Sequence, residues 1–198
     1  MRGIDASENN GIVNWSSIVS NGYQFAIPRI GYGRGNLDSQ FYNNINGAID
    51  TGLKVGVYHY SYALTQDHAQ QEAEFVIDTL MSSGLTPDKL PLGVWFDMED
   101  ADGYRERHGV LDNQELTNLC SVFINQLWNA GYVKTGLYAN LDWLVNCLYP
   151  EQLGGCAIWC AQYNNTCDYP GANIWQYTQS EYIEGKQFDA NLILDFDV

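Results

Sequence analysis

The sequence predicts an α/β chain, residues 1–198 forming one irregular β/α barrel of eight strands and fewer than eight helices. Three observations lead there. Short apolar runs of strand length alternate with longer stretches that carry a helical stripe. The stripes stop after the first two thirds of the chain, and the connection from Cys160 to Ile174 shows none. Acidic residues recur at the ends of apolar runs, where a parallel barrel gathers its functional groups. An open doubly wound sheet is the alternative.

In chain order, Gly3 to Ser7 is a first strand carrying Asp5, and Asn14 to Ser20 a short helix. Tyr23 to Ile30 is a second strand, followed by a glycine-rich turn, Gly31 to Gly35. That turn lacks the Gly-Lys-Ser/Thr ending of a phosphate loop. Phe41 to Thr51 reads as a helix stopped by Gly52, and Val55 to Tyr60 as an aromatic-rich strand. Asp67-x-x-Gln70 resembles a capping box before the stripe Ala69, Ala73, Val76, Ile77, Leu80, which Gly84 ends. Asp112-x-x-Glu115 is a second box, ahead of Leu116, Leu119, Cys120, Phe123, Ile124 and Leu127. Strands follow at Thr135–Tyr138, Ala157–Cys160, Ile174–Tyr177 and Phe188–Leu192, mostly running one way.

The fourth strand organises the rest. Leu92 to Phe96 is a buried-type run, and it ends in Asp97, Glu99, Asp100 and Asp102. Alternation on a strand would turn Asp97 and Glu99 to one face, about 7 Å apart. Two acids at the end of a buried strand are costly unless paired, hydrated or used.

Composition narrows the partners. The 24 Asp and Glu against 9 Lys and Arg argue against nucleic acid or an anionic membrane. No apolar run reaches the ~18 residues of a membrane span, and Arg2-Gly3-Ile4-Asp5 enters the first strand with no signal peptide in view. Tyr (14) and Trp (6) are abundant, side chains that pack flat on sugar rings. The five cysteines form no Cys-x-x-Cys pair and read as reduced small hydrophobes, with Cys160 and Cys167 the one close pair worth checking. His59, His68 and His108 lie outside metal-type spacing, so neither metal nor other cofactor is expected.

Four motifs occur in order: Gly3-Ile-Asp-Ala-Ser-Glu-Asn-Asn-Gly-Ile-Val-Asn-Trp15, Trp95-Phe-Asp-Met-Glu99, Trp175-Gln-Tyr-Thr178 and Phe188-Asp-Ala-Asn191. Together they resemble glycoside hydrolase family 25, the N-acetylmuramidases (lysozymes) of phage endolysins and bacterial autolysins. The resemblance implies a β/α barrel with reduced helices. It also implies cleavage of the β-1,4 bond from N-acetylmuramic acid to N-acetylglucosamine in peptidoglycan, with retention. The family's acidic quartet carries onto Asp5, Asp97, Glu99 and Asp189, and the general acid onto Glu99. Asp195 and Asp197 offer a rival register for the last motif but lack its Asn. Ala6 stands where the family often has Val.

Crowded carboxylates do not all ionise, so burial beside Trp95 and acidic neighbours should raise Glu99 above the usual ~4.3. Asp97 would stay ionised, as nucleophile or by orienting the substrate's acetamido group; both routes retain configuration. Tyr58, Tyr60, Tyr62, Tyr138, Trp159, Gln162, Trp175, Tyr177 and Asn191 are the expected sugar-binding residues, and Arg29 a structural ion pair. A non-catalytic sugar-binding barrel should lack one of the acids. A metal-dependent hydrolase built on Asp97–Asp102 fails the EF-hand spacing. The expected partner is the glycan strand of bacterial cell wall, helped by a wall-binding module outside this chain. The same enzyme would be cytoplasmic before lysis in a phage setting, or else secreted.

Overall fold

The computed structural model describes residues 1–109 and 111–197. Its strands are β1 (Arg2–Ala6), β2 (Phe25–Tyr32), β3 (Asn36–Leu37), β4 (Lys54–Val55) and β5 (Val57–Tyr60), then β6 (Val94–Asp97), β7 (Thr135–Asn140), β8 (Ala157–Ala161), β9 (Ile174–Ile183) and β10 (Lys186–Ile193). Eight close a barrel in the order β1, β2, β5, β6, β7, β8, β9, β10 and back to β1. The two-residue strands β3 and β4 only extend β2 at its edges. The α-helices are α1 (Trp15–Ser20), α2 (Phe41–Asp50), α3 (Gln66–Ser82), α4 (Tyr104–His108) and α5 (Asn113–Asn129), with a π-helical turn at Trp143–Cys147. The barrel is therefore short of helices on one side, and 162–173 crosses from β8 to β9 without any.

Local chemistry explains the helix starts. At α5 the expected box forms: Asp112 Oδ1 accepts the Glu115 N–H at 2.8 Å and Glu115 Oε2 accepts the Asp112 N–H at 2.9 Å. At α3 the expectation needs correcting. The cap is Thr65, whose hydroxyl accepts the His68 N–H at 3.2 Å, and Asp67 lies inside the first turn. Thr65 is in the extended conformation a cap requires, while Asp67 contributes only its charge to the helix dipole. α3 and α5 pack their apolar stripes together over the outer faces of β5 and β6.

Direction is where the barrel departs from a uniform array. Neighbours from β1 through β9 pair parallel, but β10 is antiparallel to both β9 and β1. The reversal follows from a tight hairpin at Glu184–Gly185, both with positive φ (48° and 80°).

Register sorts side chains inside from outside. Gly3, Asp5, Phe25, Ile27, Tyr58, Trp95, Asp97, Tyr138, Trp159, Gln176 and Asn191 share the inner face. Ile4, Ala26, Val57, Phe96, Leu137 and Cys160 face outward to the helices. The lower interior is a packed floor: Phe25, Leu92, Trp95, Trp159 and Ile174, with Trp95 Nε1 donating to Leu92 O at 2.7 Å. Glycines make room for those rings. A Cβ at Gly3 would fall 2.3 Å from Phe25, and one at Gly136 would fall 2.5 Å from Trp95.

Candidate active site

The open end of the barrel gathers the acids. Asp5 and Asp189 are direct cross-strand partners on β1 and β10. Because β10 runs downward, Asp189 reaches the mouth from the first half of its strand rather than from a carboxyl end. Asp97 is the last residue of β6, and Glu99 lies two residues beyond the strand. The expectation of one shared strand face is thus replaced by a strand end and a short loop. That loop is anchored by Met98 N–H to Tyr138 O (3.0 Å), by Ser61 N–H to Asp97 O (3.0 Å) and by Arg105 Nε to Glu99 O (3.3 Å). The anchors turn Glu99 back over the barrel, and all four carboxyl groups line one cavity of about 130 Å³.

Tyr58, Tyr60, Tyr138 and Trp159 wall that cavity, together with Arg29 and Gln176. Arg29 is spent on Asp38 (2.8 Å) and Glu8 (3.0 Å) rather than on Asp5. Asn191 is fully buried, donating Nδ2 to Asp5 Oδ2 at 2.7 Å and accepting Trp159 Nε1 at 2.8 Å. Tyr62 sits in the neighbouring trough, its hydroxyl on Asp102 Oδ2 at 2.7 Å. Three expected residues lie elsewhere. Trp175 pairs in register with outward Cys160 and Leu192, so it is on the outer face beside Tyr177, its Nε1 donating to Gln162 O at 2.7 Å. Gln162 is engaged within its own loop, through Asp168 at 2.6 and 2.7 Å.

Gln176 also lines the cavity, a residue the sequence does not single out. Its Nε2 donates to Asp5 Oδ2 at 3.0 Å and reaches Asp189 Oδ2 at 3.5 Å; its Oε1 accepts the hydroxyls of Tyr138 and Tyr163, each at 3.0 Å. Period-two alternation along β9 was the available signal, since Gln176 and Trp175 cannot both face inward. Asn140, which reaches Glu99 Oε2 at 3.5 Å, lay just past the expected end of its strand.

Burial raises every acid in the cavity. Asp5 is pushed well up by burial and by Asp189, against the pull of the Asn191 and Gln176 amides. Asp97 is pushed well up by burial, then by Glu99 and Asp5, with Arg29 and Arg105 opposing. Burial raises Glu99, with the Asn140 amide opposing, and burial raises Asp189 to about 6. Burial and mutual repulsion thus make each of the four harder to ionise than a free carboxyl. The expected Asp97 anion is opposed by its own burial as well as by its neighbours. Asp97 Oδ1 is also buried without a hydrogen-bond partner among the described residues. Those residues hold no group of three or more His, Cys, Asp or Glu able to bind a metal. The five cysteines are free thiols, Cys160 in contact with Cys167.

A closed β/α barrel with buried, hard-to-ionise carboxyls among tyrosines and tryptophan at its mouth has the build of a glycosidase. The chain belongs to glycosyl hydrolases family 25, whose family model matches residues 4–186. It is 23% identical over 202 residues to Lysozyme M1 of Streptomyces globisporus, across 96% of this chain and 66% of that protein. The modular autolysin LytC of Streptococcus pneumoniae, solved in complex with a synthetic peptidoglycan ligand, superposes with a TM-score of 0.84 at 26% identity. That match covers 96% of this chain and 46% of the autolysin. The bacterial lysozyme of Streptomyces coelicolor shares the fold, with a TM-score of 0.79 at 21% identity over 98% of this chain and 91% of that one. The chain thus spans just under two thirds of the first curated relative and less than half of the autolysin.

Proposed function

We propose that this chain hydrolyses the β-1,4 bond between N-acetylmuramic acid and N-acetylglucosamine in peptidoglycan, with retention and with Glu99 as general acid. The carrying observation is the convergence of Asp5, Asp97, Glu99 and Asp189 on one aromatic-walled cavity in a family 25 chain. Glu99, raised by burial, keeps a proton to give the glycosidic oxygen as the C1–O bond breaks. The electron-poor C1 is then met from the opposite face by an oxygen nucleophile. The unpartnered Asp97 Oδ1 favours the route in which Asp97 accepts the acetamido N–H and the acetamido oxygen attacks. The alternative route has the Asp97 carboxylate attack C1 itself. In both, Glu99, now a carboxylate, takes a proton from the water that attacks C1, and the product keeps the β configuration. Gln176 and Asn191 hold Asp5, and Asp189, the less strongly raised of that pair, supplies negative field around the positive transition state.

The partner in this reading is the glycan strand, with a wall-binding module outside this chain as the natural companion. No described helix is long and apolar enough to cross a membrane. Digestion of purified Gram-positive walls, borohydride reduction and sugar analysis tests the bond. Muramicitol is expected, with the β anomer appearing first by proton NMR. Glucosaminitol alone, or free amino groups without reducing sugar, would overturn the assignment.

A further inference from the structure

Beside the acid cavity the barrel mouth opens into a long trough, and its far end carries a cation that forms no ion pair among the described residues. The glycine-rich turn after β2 is a hairpin tip, Gly33-Arg34-Gly35, whose glycines have φ of +56° and +109°. It is pinned by Gly33 N–H to Tyr60 O (3.0 Å) and by Asn36 Nδ2 to Tyr32 O (3.0 Å). Left-handed backbone on both sides holds Arg34 out at the tip. Arg34 is exposed and makes neither a hydrogen bond nor an ion pair among the described residues. Arg29 nearby, by contrast, is fully neutralised by Glu8 and Asp38.

The trough connects this cation to the chemistry. Arg34 lines a space of about 560 Å³ with Tyr32, Tyr62, Tyr104 and Asp102. Three of these, Tyr32, Tyr62 and Asp102, also line a second space of about 410 Å³. Arg29 and Tyr60 then belong both to that second space and to the acid cavity. The tyrosines are locked edge to face, with Tyr62 rings 4.7 Å from Tyr104, 5.1 Å from Tyr60 and 6.2 Å from Tyr32. Asp102 is occupied by the Tyr62 hydroxyl (2.7 Å) and the Tyr104 N–H (3.0 Å). A ligand lying along this trough meets aromatic edges first and an open guanidinium last.

We infer that Arg34 and its tyrosine wall form a subsite for the peptide stem of the substrate, with the guanidinium taking a stem carboxylate. The inference rests on the proposed muramidase reading. A muramic acid residue differs from its glucosamine neighbour by a lactyl ether whose carboxyl carries a short peptide, and free carboxylates of that peptide are the anions closest to the glycan. A guanidinium matches a carboxylate with two parallel N–H donors. In a chain of net charge −15 it also offsets the repulsion of an anionic wall.

The test measures kcat/KM for wild type, Arg34→Gln and Arg34→Lys, each first shown to melt like wild type. Three substrates are compared: stem-bearing glycan, the same glycan stripped of stems by an amidase, and stem-bearing glycan with its carboxylates converted to amides. On stem-bearing glycan Arg34→Gln should lose roughly five- to tenfold, mostly in KM, and Arg34→Lys should recover part of it. On the amidated glycan wild type and Arg34→Gln should coincide. The stripped glycan removes the stem carboxylates and frees the lactyl carboxyl, which is tied up as an amide while the stem is present. Arg34→Gln should lose little there, and a loss equal to that on stem-bearing glycan would show that the stem is not what Arg34 holds and overturn the inference. Equal loss on all three substrates, or none on any, overturns the subsite while leaving wild-type cleavage, and hence the muramidase reading, intact. Wild type that releases no muramic reducing ends removes both.

Discussion

On β6, Trp95 and Asp97 enter the barrel from the same strand face, about 7 Å apart. One belongs to the floor and the other to the mouth. The floor is a close-packed layer of Phe25, Leu92, Trp95, Trp159 and Ile174. The mouth, one layer up, is four carboxyls, a glutamine and an asparagine. The two regions share strands, register and burial, yet burial stabilises one and works against the other. The floor gains by excluding water. The mouth is strained by the same exclusion, which is why its acids resist ionising. Trp159 joins the regions, with its ring in the floor and its N–H on Asn191 below Asp5. A dry floor is thus what makes a proton donor possible above it.

The largest effect that tests this contrast is at Glu99. Glu99→Gln keeps the side chain's shape and removes its proton, so turnover should fall about 10²–10⁴-fold. The melting temperature should hold or rise, because an acid that burial disfavours has been neutralised. Asp195→Asn, at the exposed opposite end, should keep most activity. Clearing assays on wall suspensions, paired with thermal melts, measure both. A folded Glu99→Gln that clears walls like wild type would remove Glu99 from the chemistry.

The legibility of these two regions differed for a physical reason. Periodicity exposed nearly every strand and helix, because burial on one face writes itself as period 2 or 3.6. The four acids stood out because a carboxylate at the end of an apolar run has no cheap structural explanation. What the sequence hid was direction and register. The β9–β10 hairpin carries its bulges on β9, and its turn, Glu184-Gly185, lacks the Asn-Gly or Asp-Gly signature of a two-residue hairpin. A single step of register exchanges Gln176 for Trp175 at the site, and composition favoured the tryptophan. Caps were ambiguous for a similar reason: Thr65 and Asp67 both carry a suitable oxygen, and only backbone conformation separates them.

A smaller change should break the floor and spare the mouth. A Cβ on Gly136 would sit 2.5 Å from the Trp95 ring and 2.6 Å from the Ala157 carbonyl, and backbone on β8 cannot easily retreat. Gly136→Ala should therefore cost about 1–3 kcal/mol, lowering the melting temperature by several degrees. Activity of the folded protein at 25 °C should stay within a few fold of wild type, the reverse of the Glu99→Gln pattern. An unchanged melt would mean that the floor has slack, and the contrast drawn above would fail.

The last expectation uses pH to read the strain at the mouth. Asp189 has its carboxyl raised from 3.8 to about 6 by burial. Between those values the folded protein binds more protons at this residue than the unfolded chain does, so raising pH through that window opposes folding. The wild-type contribution is whole below pH ~4 and is lost as pH rises through about 6. Asn cannot ionise, so Asp189→Asn should match wild type near pH 4 and exceed it near pH 7. Two units correspond to about 3 kcal/mol, reduced to roughly 1–2 by solvent at the open mouth. The same substitution relieves Asp5, for which Asp189 is the leading charged neighbour, so the gain should not fall below that range. Activity should drop nonetheless, since the lost charge faces the developing cation. Urea unfolding of both proteins at several pH values between 4 and 7 gives the comparison directly. A stability difference that is flat across that range, or that shrinks toward pH 7, would show that Asp189 is not held protonated by burial.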